Sequence, residues 1–164
     1  MHPRATELIA ALRLEPHPEG GFYRQVYRSA LPVARTPDAA SRTALTTIFF
    51  LLHADDVSRW HAVSSDEVWH FYEGAPLELF TADAAFAHTE KHLLGPVSPG
   101  GSSPVHVVAA GDWQAARTTG AYTLVGCTVG PGFEFTDFTM LRDVPALAGT
   151  VRTRHPAVAA LIGQ

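Results

Sequence analysis

The chain has 164 residues, 46% of them hydrophobic and only 17% charged, with a net charge of −4. That length suits one domain spanning 1–164 with a full core, and an acidic balance without a basic run excludes an electrostatic footprint for nucleic acid. No signal-peptide core opens the chain, the apolar run Ile48–Leu52 is too short to span a bilayer, and Cys127 has no second cysteine to pair with, so the expectation is a cytoplasmic protein without a membrane partner.

In chain order, Leu8, Ile9 and Leu12 recur at helical spacing within residues 6–14, with Thr6 in the N-cap place and Pro16 beyond the end. Pro16-His17-Pro18-Glu19-Gly20-Gly21 is a turn-rich loop. The period then changes: residues 22–28 alternate as a strand does, residues 32–41 form a polar loop, and residues 44–52 are a buried strand. Further strands are expected at 57–63, 67–73, 76–81, 86–94, 104–109, 112–117, 121–129 and 133–141, with Gly, Pro or Asp clusters between them. A short helix is expected from about His155. Short strands at this spacing predict an all-β sandwich or barrel, and no strand–helix alternation supports a parallel sheet.

Chemistry concentrates in Trp60-His61-Ala62-Val63-Ser64-Ser65-Asp66-Glu67-Val68-Trp69-His70-Phe71-Tyr72. Alternation puts His61 and Val63 on one strand face, and Glu67, Trp69 and Phe71 on one face of the next, with His70 and Tyr72 opposite. A His and a carboxylate inside a barrel can hold a metal, can transfer protons, or can simply hydrogen-bond each other. After the turn at Gly111, Trp113 and Ala115 face one way and Gln114 and Ala116 the other. Trp60, Trp69 and Trp113 serve as core or as pocket wall. Cys127, inside an apolar strand, reads as a small hydrophobe rather than a nucleophile. Glu19, Tyr23 and Arg24 flank the Gly-Gly turn. They either anchor that loop or close it over the barrel mouth, where Arg24 would bind a carboxylate or phosphate. His2, His88, His92, His106 and His155 have no spacing partner and are expected at the solvated surface.

Two stretches carry a resemblance. His61-x-Val63, then Glu67, then Gly74 resembles the first cupin motif, and Ala109-x-Gly111 followed by Gln114 resembles the second. More narrowly, Pro16–Arg24, Ser65–Leu77, Ala110–Ala116 and Leu124–Phe135 are similar to a cupin-superfamily family of unknown function, over roughly residues 6–142. The resemblance implies a cupin-type double-stranded β-helix, or jelly-roll barrel, with short N- and C-terminal helices. It also implies a small-molecule ligand in the barrel mouth and pairing into a homodimer, to which outward-facing His70 and Tyr72 would contribute. The departures are Val63 and Gln114, where a metal cupin has histidines.

Three functions follow. The first is a metal-independent epimerase or isomerase of a sugar or keto compound, with His61 as base, Glu67 as its partner, Tyr72 or Tyr23 returning a proton, and Arg24 and Gln114 positioning the substrate. Glu19, Trp69 and Trp113 complete its binding residues. The second is a non-catalytic binder using the same pocket. The third is a divalent-metal enzyme of dioxygenase or decarboxylase type, with His61, Glu67 and Gln114 as ligands. The cofactor expectation is none, with a divalent metal as the alternative.

Overall fold

The computed structural model describes residues 1–35 and 39–163; residues 36–38 of the expected polar loop, and Gln164, lie outside the described residues. Helix α1 (Pro3–Leu12) begins earlier than a Thr6 cap predicts. His2 is the cap: its ring Nδ1 accepts the Arg4 N–H at 3.2 Å, and Pro3 takes the first helical position, where its missing N–H costs nothing. Arg13, at φ 53°, ends the helix.

Among the described residues thirteen strands follow: β1 (Glu15–Pro16), β2 (Phe22–Arg28), β3 (Pro32–Ala34), β4 (Ser41–Thr43), β5 (Thr46–His53), β6 (Val57–Val63), β7 (Asp66–Gly74), β8 (Leu77–Ala82), β9 (Thr89–Leu94), β10 (Val105–Val108), β11 (Trp113–Thr118), β12 (Tyr122–Gly130) and β13 (Phe138–Met140). One sheet has the order β1-β2-β5-β12-β7-β10, the other β13-β6-β11-β8-β9, and β3 pairs with β4 alone. The paired strands are antiparallel. The sheets face each other as a jelly-roll barrel, and alternation sets what each strand gives the interior.

Three apolar clusters hold the molecule together. Phe50, Leu52, Trp69, Leu77, Leu79, Val108, Ala116 and Val125 fill one half of the barrel between the sheets. Leu8 of α1 packs on the outer face of the six-stranded sheet against Leu51 and Leu124. The third cluster joins Trp60, Phe80, Phe86 and Trp113 on the outer face of the five-stranded sheet to Leu141, Ala148, Val151, Leu161 and Ile162. Its covering helices are α2 (Pro145–Arg154) and α3 (Pro156–Ala159). Helix α2 has little apolar periodicity, so only the helix after His155 is readable from the sequence.

Three expectations are corrected. The expected 32–41 loop contains a hairpin, β3–β4. The expected strand 133–141 is instead a 3-10 turn, Phe135–Asp137, followed by the short β13. His92 and His106 are not separately solvated: their rings stack at 3.7 Å where the edge strands β9 and β10 meet.

Candidate functional site

The half of the barrel that side chains do not fill is a cavity of about 220 Å³. Its floor is built by two backbone irregularities.

The first is the loop His17–Gly21. Gly20 has φ +116°, and a Cβ there would lie 2.1 Å from the Val57 carbonyl oxygen, so only glycine lets the loop approach β6 this closely. The Glu19 carbonyl accepts the Arg59 N–H and Arg59 Nη1, each at 3.0 Å. The loop is thereby fixed, and the Glu19 side chain turns inward, 5% exposed.

The second is a bulge in β6. Opposite it on β11, Gln114 pairs with His61 and Ala116 with Ser58, so β6 has one more residue than its partner over this span. The extra residue resets the alternation, and both Ser58 and His61 face the interior. Ser58 Oγ donates to Glu19 Oε1 at 2.7 Å.

The protons of His61 follow from its partners. Nδ1 lies 2.7 Å from the Arg59 carbonyl oxygen, which can only accept, so Nδ1 carries a hydrogen. Nε2 lies 3.3 Å from Glu19 Oε2. That contact needs one proton, held by either group. Burial lowers the His61 pKa, against the charge of Glu67 and the Arg59 bond, and burial raises that of Glu19, against His17 and Ser58. Both shifts put the proton on Glu19 and leave Nε2 bare. His17 Nδ1, 3.4 Å from the same Glu19 oxygen, is a second acceptor.

Glu67 anchors the opposite side. Gln114 Nε2 donates to its Oε2 at 2.5 Å, and the Cys127 thiol also donates to it. The Gln114 oxygen accepts Trp69 Nε1–H at 2.8 Å. Because the indole can only donate, it fixes which end of the amide faces Glu67. Burial pushes the Glu67 carboxyl up, more than the His61 charge and these bonds pull it down. Burial, with the nearby carboxylates, also pushes the Cys127 thiol well up, so it stays an S–H donor.

Aromatic rings make the walls. His17 meets Tyr23 edge-on at 4.5 Å between centroids, and Phe138 lies 5.2 Å from His61. Phe133 and Phe135 extend the wall to the mouth, where Glu15 hydrogen-bonds Tyr23. None of the described residues lining the cavity is Lys or Arg.

Of the residues expected from the sequence, Glu19, Tyr23, His61 and Glu67 converge on this cavity. The partner in contact with His61 is Glu19 rather than Glu67. Gln114 and Trp69 lie behind Glu67 and hold it.

Three expected site residues lie elsewhere. Tyr72 is on the outer face, half exposed: a bulge in β7 sends both it and Glu73 outward, and its ring lies across Gly126, where a Cβ would come 2.2 Å from the hydroxyl. Trp113 is buried under the C-terminal helices, with Nε1 donating to the Ala84 carbonyl at 3.2 Å. Arg24 is exposed on the outer face and donates to the Leu12 carbonyl at the end of α1, at 3.1 Å.

The residue missed from the sequence is His17. The signal was its place between two prolines, two residues before Glu19, which fixes it in the same loop. The wall residues Phe133, Phe135 and Phe138 fall within the expected strand 133–141.

A metal held by His61, Glu67 and Gln114 does not fit this arrangement. Among the described residues no group of three or more His, Cys, Asp or Glu side chains is placed to hold a metal ion. Gln114 turns its N–H toward the proposed metal position, and its oxygen is committed to Trp69.

The family model described as Cupin superfamily (DUF985) matches residues 6–141. A hypothetical protein from Leishmania major superposes with a TM-score of 0.84 at 29% identity, covering 96% of each chain. A protein from Shewanella oneidensis superposes at 0.82 with 32% identity, covering 98% of this chain and 97% of that one. Oxalate decarboxylase from Bacillus subtilis shares the fold at 13% identity, TM-score 0.58, over 80% of this chain and 30% of its own. No curated protein matches the sequence.

Proposed function

We propose, from the chain's place in the cupin superfamily, where it belongs to family DUF985, that its barrel cavity binds a small metabolite and moves a proton on it without a metal. The reading is an epimerase or isomerase of a sugar or keto compound. The observation that carries it is the His61–Glu19 contact of 3.3 Å inside the cavity, with His61 Nδ1 fixed by the Arg59 carbonyl.

In this reading the Glu19 proton turns to His17 Nδ1, and His61 Nε2 is free to act as base. It takes the hydrogen from the carbon next to the substrate carbonyl. The C–H electron pair becomes the C=C of an enol, and the carbonyl oxygen receives a proton from the Glu67 carboxyl, whose pKa burial raises. His61 returning its proton to the neighbouring carbon, while the enol O–H proton goes back to Glu67, gives the isomer; the epimer requires delivery to the opposite face of the same carbon, by Tyr23, which lines the cavity.

The test is solvent deuterium incorporation, followed by NMR, into a panel of hydroxy-ketones and keto-sugars by chelator-treated protein. Exchange is expected, and His61→Asn is expected to slow it about 10²–10⁴-fold. No exchange by folded protein on any member overturns the catalytic reading. Saturable binding without exchange would make the protein a non-catalytic binder.

A further inference from the structure

The cavity's charges and rings are one-sided, and this constrains the ligand. Glu15, Glu19 and Glu67 contribute carboxyl groups to its lining, and none of the described lining residues is Lys or Arg, although the chain has 12 of these. The arginines on flanking strands are engaged elsewhere. Arg24 holds the end of α1, Arg28 pairs with Glu134 at the surface, and Arg59 holds the Glu19 backbone. An anionic ligand would therefore meet carboxyl groups with no Lys or Arg as countercharge, and burial lowers the pKa of the two lining imidazoles, His17 and His61, which makes its entry costly.

A cation meets the opposite situation. Phe50, Phe133, Phe135 and Phe138 line the cavity, and aromatic ring faces attract a desolvated cation. Glu67 already has its Gln114 and Cys127 donors in place, so its carboxylate is prepared to carry a charge once a countercharge arrives. The volume, about 220 Å³, suits a compact molecule.

We infer that the ligand of this cavity is a small organic cation, an amine or quaternary ammonium compound, seated between the phenylalanine wall and Glu67. The inference rests on the reading of this cavity as the ligand site and names the class of molecule it takes. Burial raises the Glu67 pKa in the empty cavity and a bound cation lowers it again, so a proton is released on binding wherever the carboxyl is protonated beforehand.

The test uses matched probes and needs no turnover. Choline is compared with its neutral isostere 3,3-dimethylbutan-1-ol and with 3,3-dimethylbutanoate; butylamine is compared with butan-1-ol and butanoate. Binding is measured by calorimetry near pH 7 in two buffers of different ionisation heat. The cation of at least one series is expected to bind at least tenfold more tightly than its neutral and anionic counterparts. Its heat should depend on the buffer, which reports proton release, and Glu67→Gln should abolish both effects. Phe135→Ala, at an exposed ring, should weaken the cation with the fold intact. Neutral or anionic probes binding as well as the cations in both series would overturn the inference. Deuterium exchange on an uncharged carbonyl compound alongside that result would leave the acid–base reading standing. Cation binding without any exchange would do the reverse.

Discussion

Glu67 shows how a single buried carboxyl sets both chemistry and stability. It is 7% exposed, and burial raises its pKa from the usual 4.5. As pH rises past 4.5 the unfolded chain releases this proton while the folded chain keeps it. Stability from this group therefore falls with rising pH, until the raised folded value is passed. Glu67→Gln keeps an acceptor for Gln114 Nε2 and removes the ionisation. We expect the variant to match the parent in melting temperature at pH 4 and to exceed it at pH 7. Thermal unfolding at the two pH values checks this, and equal gaps at both would refute it. The identity of Glu67 and its inward direction were legible from simple alternation along β7, as was that of His61. The contact between His61 and Glu19 was not. It depends on Gly20 pressing a loop onto β6 and on a bulge that turns Ser58 inward, and neither leaves a periodic mark in the sequence. Tyr72 failed as a site residue for a related reason: alternation already sent it outward, and the β7 bulge keeps Glu73 on that side too.

At the scale of elements, the cavity wall depends on a short segment that is neither strand nor helix. Phe135–Asp137 is a 3-10 turn, and Asp137 is gripped by Arg42 through Nε at 2.7 Å and Nη2 at 2.8 Å, with Arg35 at 2.8 Å. Arg42 of β4 and Arg35, the residue after β3, thus hold Phe135 and Phe138 over the mouth. The Arg42 and Arg35 hydrogen bonds lower the Asp137 pKa against its burial. Such a group adds stability above its unfolded value, and that stability is lost as pH falls through the lower folded value. Asp137→Asn should therefore cost about 2–3 kcal/mol at pH 7, as expected for charged hydrogen bonds. The cost should shrink progressively below about pH 4, where the unfolded parent takes up a proton that the folded parent does not, until the lower folded value is passed. Urea unfolding at pH 7 and pH 3 measures both, and a cost independent of pH would show that the charge is not what matters. The long strands were legible because eight- and nine-residue elements such as β5 and β12 carry enough apolar residues to declare themselves. The 3-10 turn was not, because Phe133 and Phe135, two residues apart, have a spacing that also fits a strand. Helix α2 was hidden because its helical face is made mainly of small residues, with only Ala148 and Val151 buried.

The whole molecule leaves one sheet face partly uncovered. Helix α1 shields the β5–β12 part of the six-stranded sheet, through Leu51 and Leu124. Beyond it, β7 and the edge strand β10 present Tyr72 (48% exposed), Val105 (43%) and Val107 (55%) to solvent, with His70 paired opposite Val105. These side chains share one face because directly paired antiparallel residues point the same way. An edge strand with outward valines and no charge of its own is a site for unwanted pairing unless something covers it. With only 17% charged residues, the chain has little negative charge to keep copies apart. A second copy is the occupant that requires no other component, and a two-fold axis would set each β10 and Tyr72 against its equivalent. We therefore propose a homodimer through this face. Light scattering at micromolar concentration should give twice the chain mass of 17.7 kDa. Val107→Glu, which introduces like charges across that axis, should return the mass to that of one chain while leaving the cavity and its ligand affinity unchanged. A parent protein that is already monomeric removes the proposal, and a dimer indifferent to Val107→Glu moves its interface to another face.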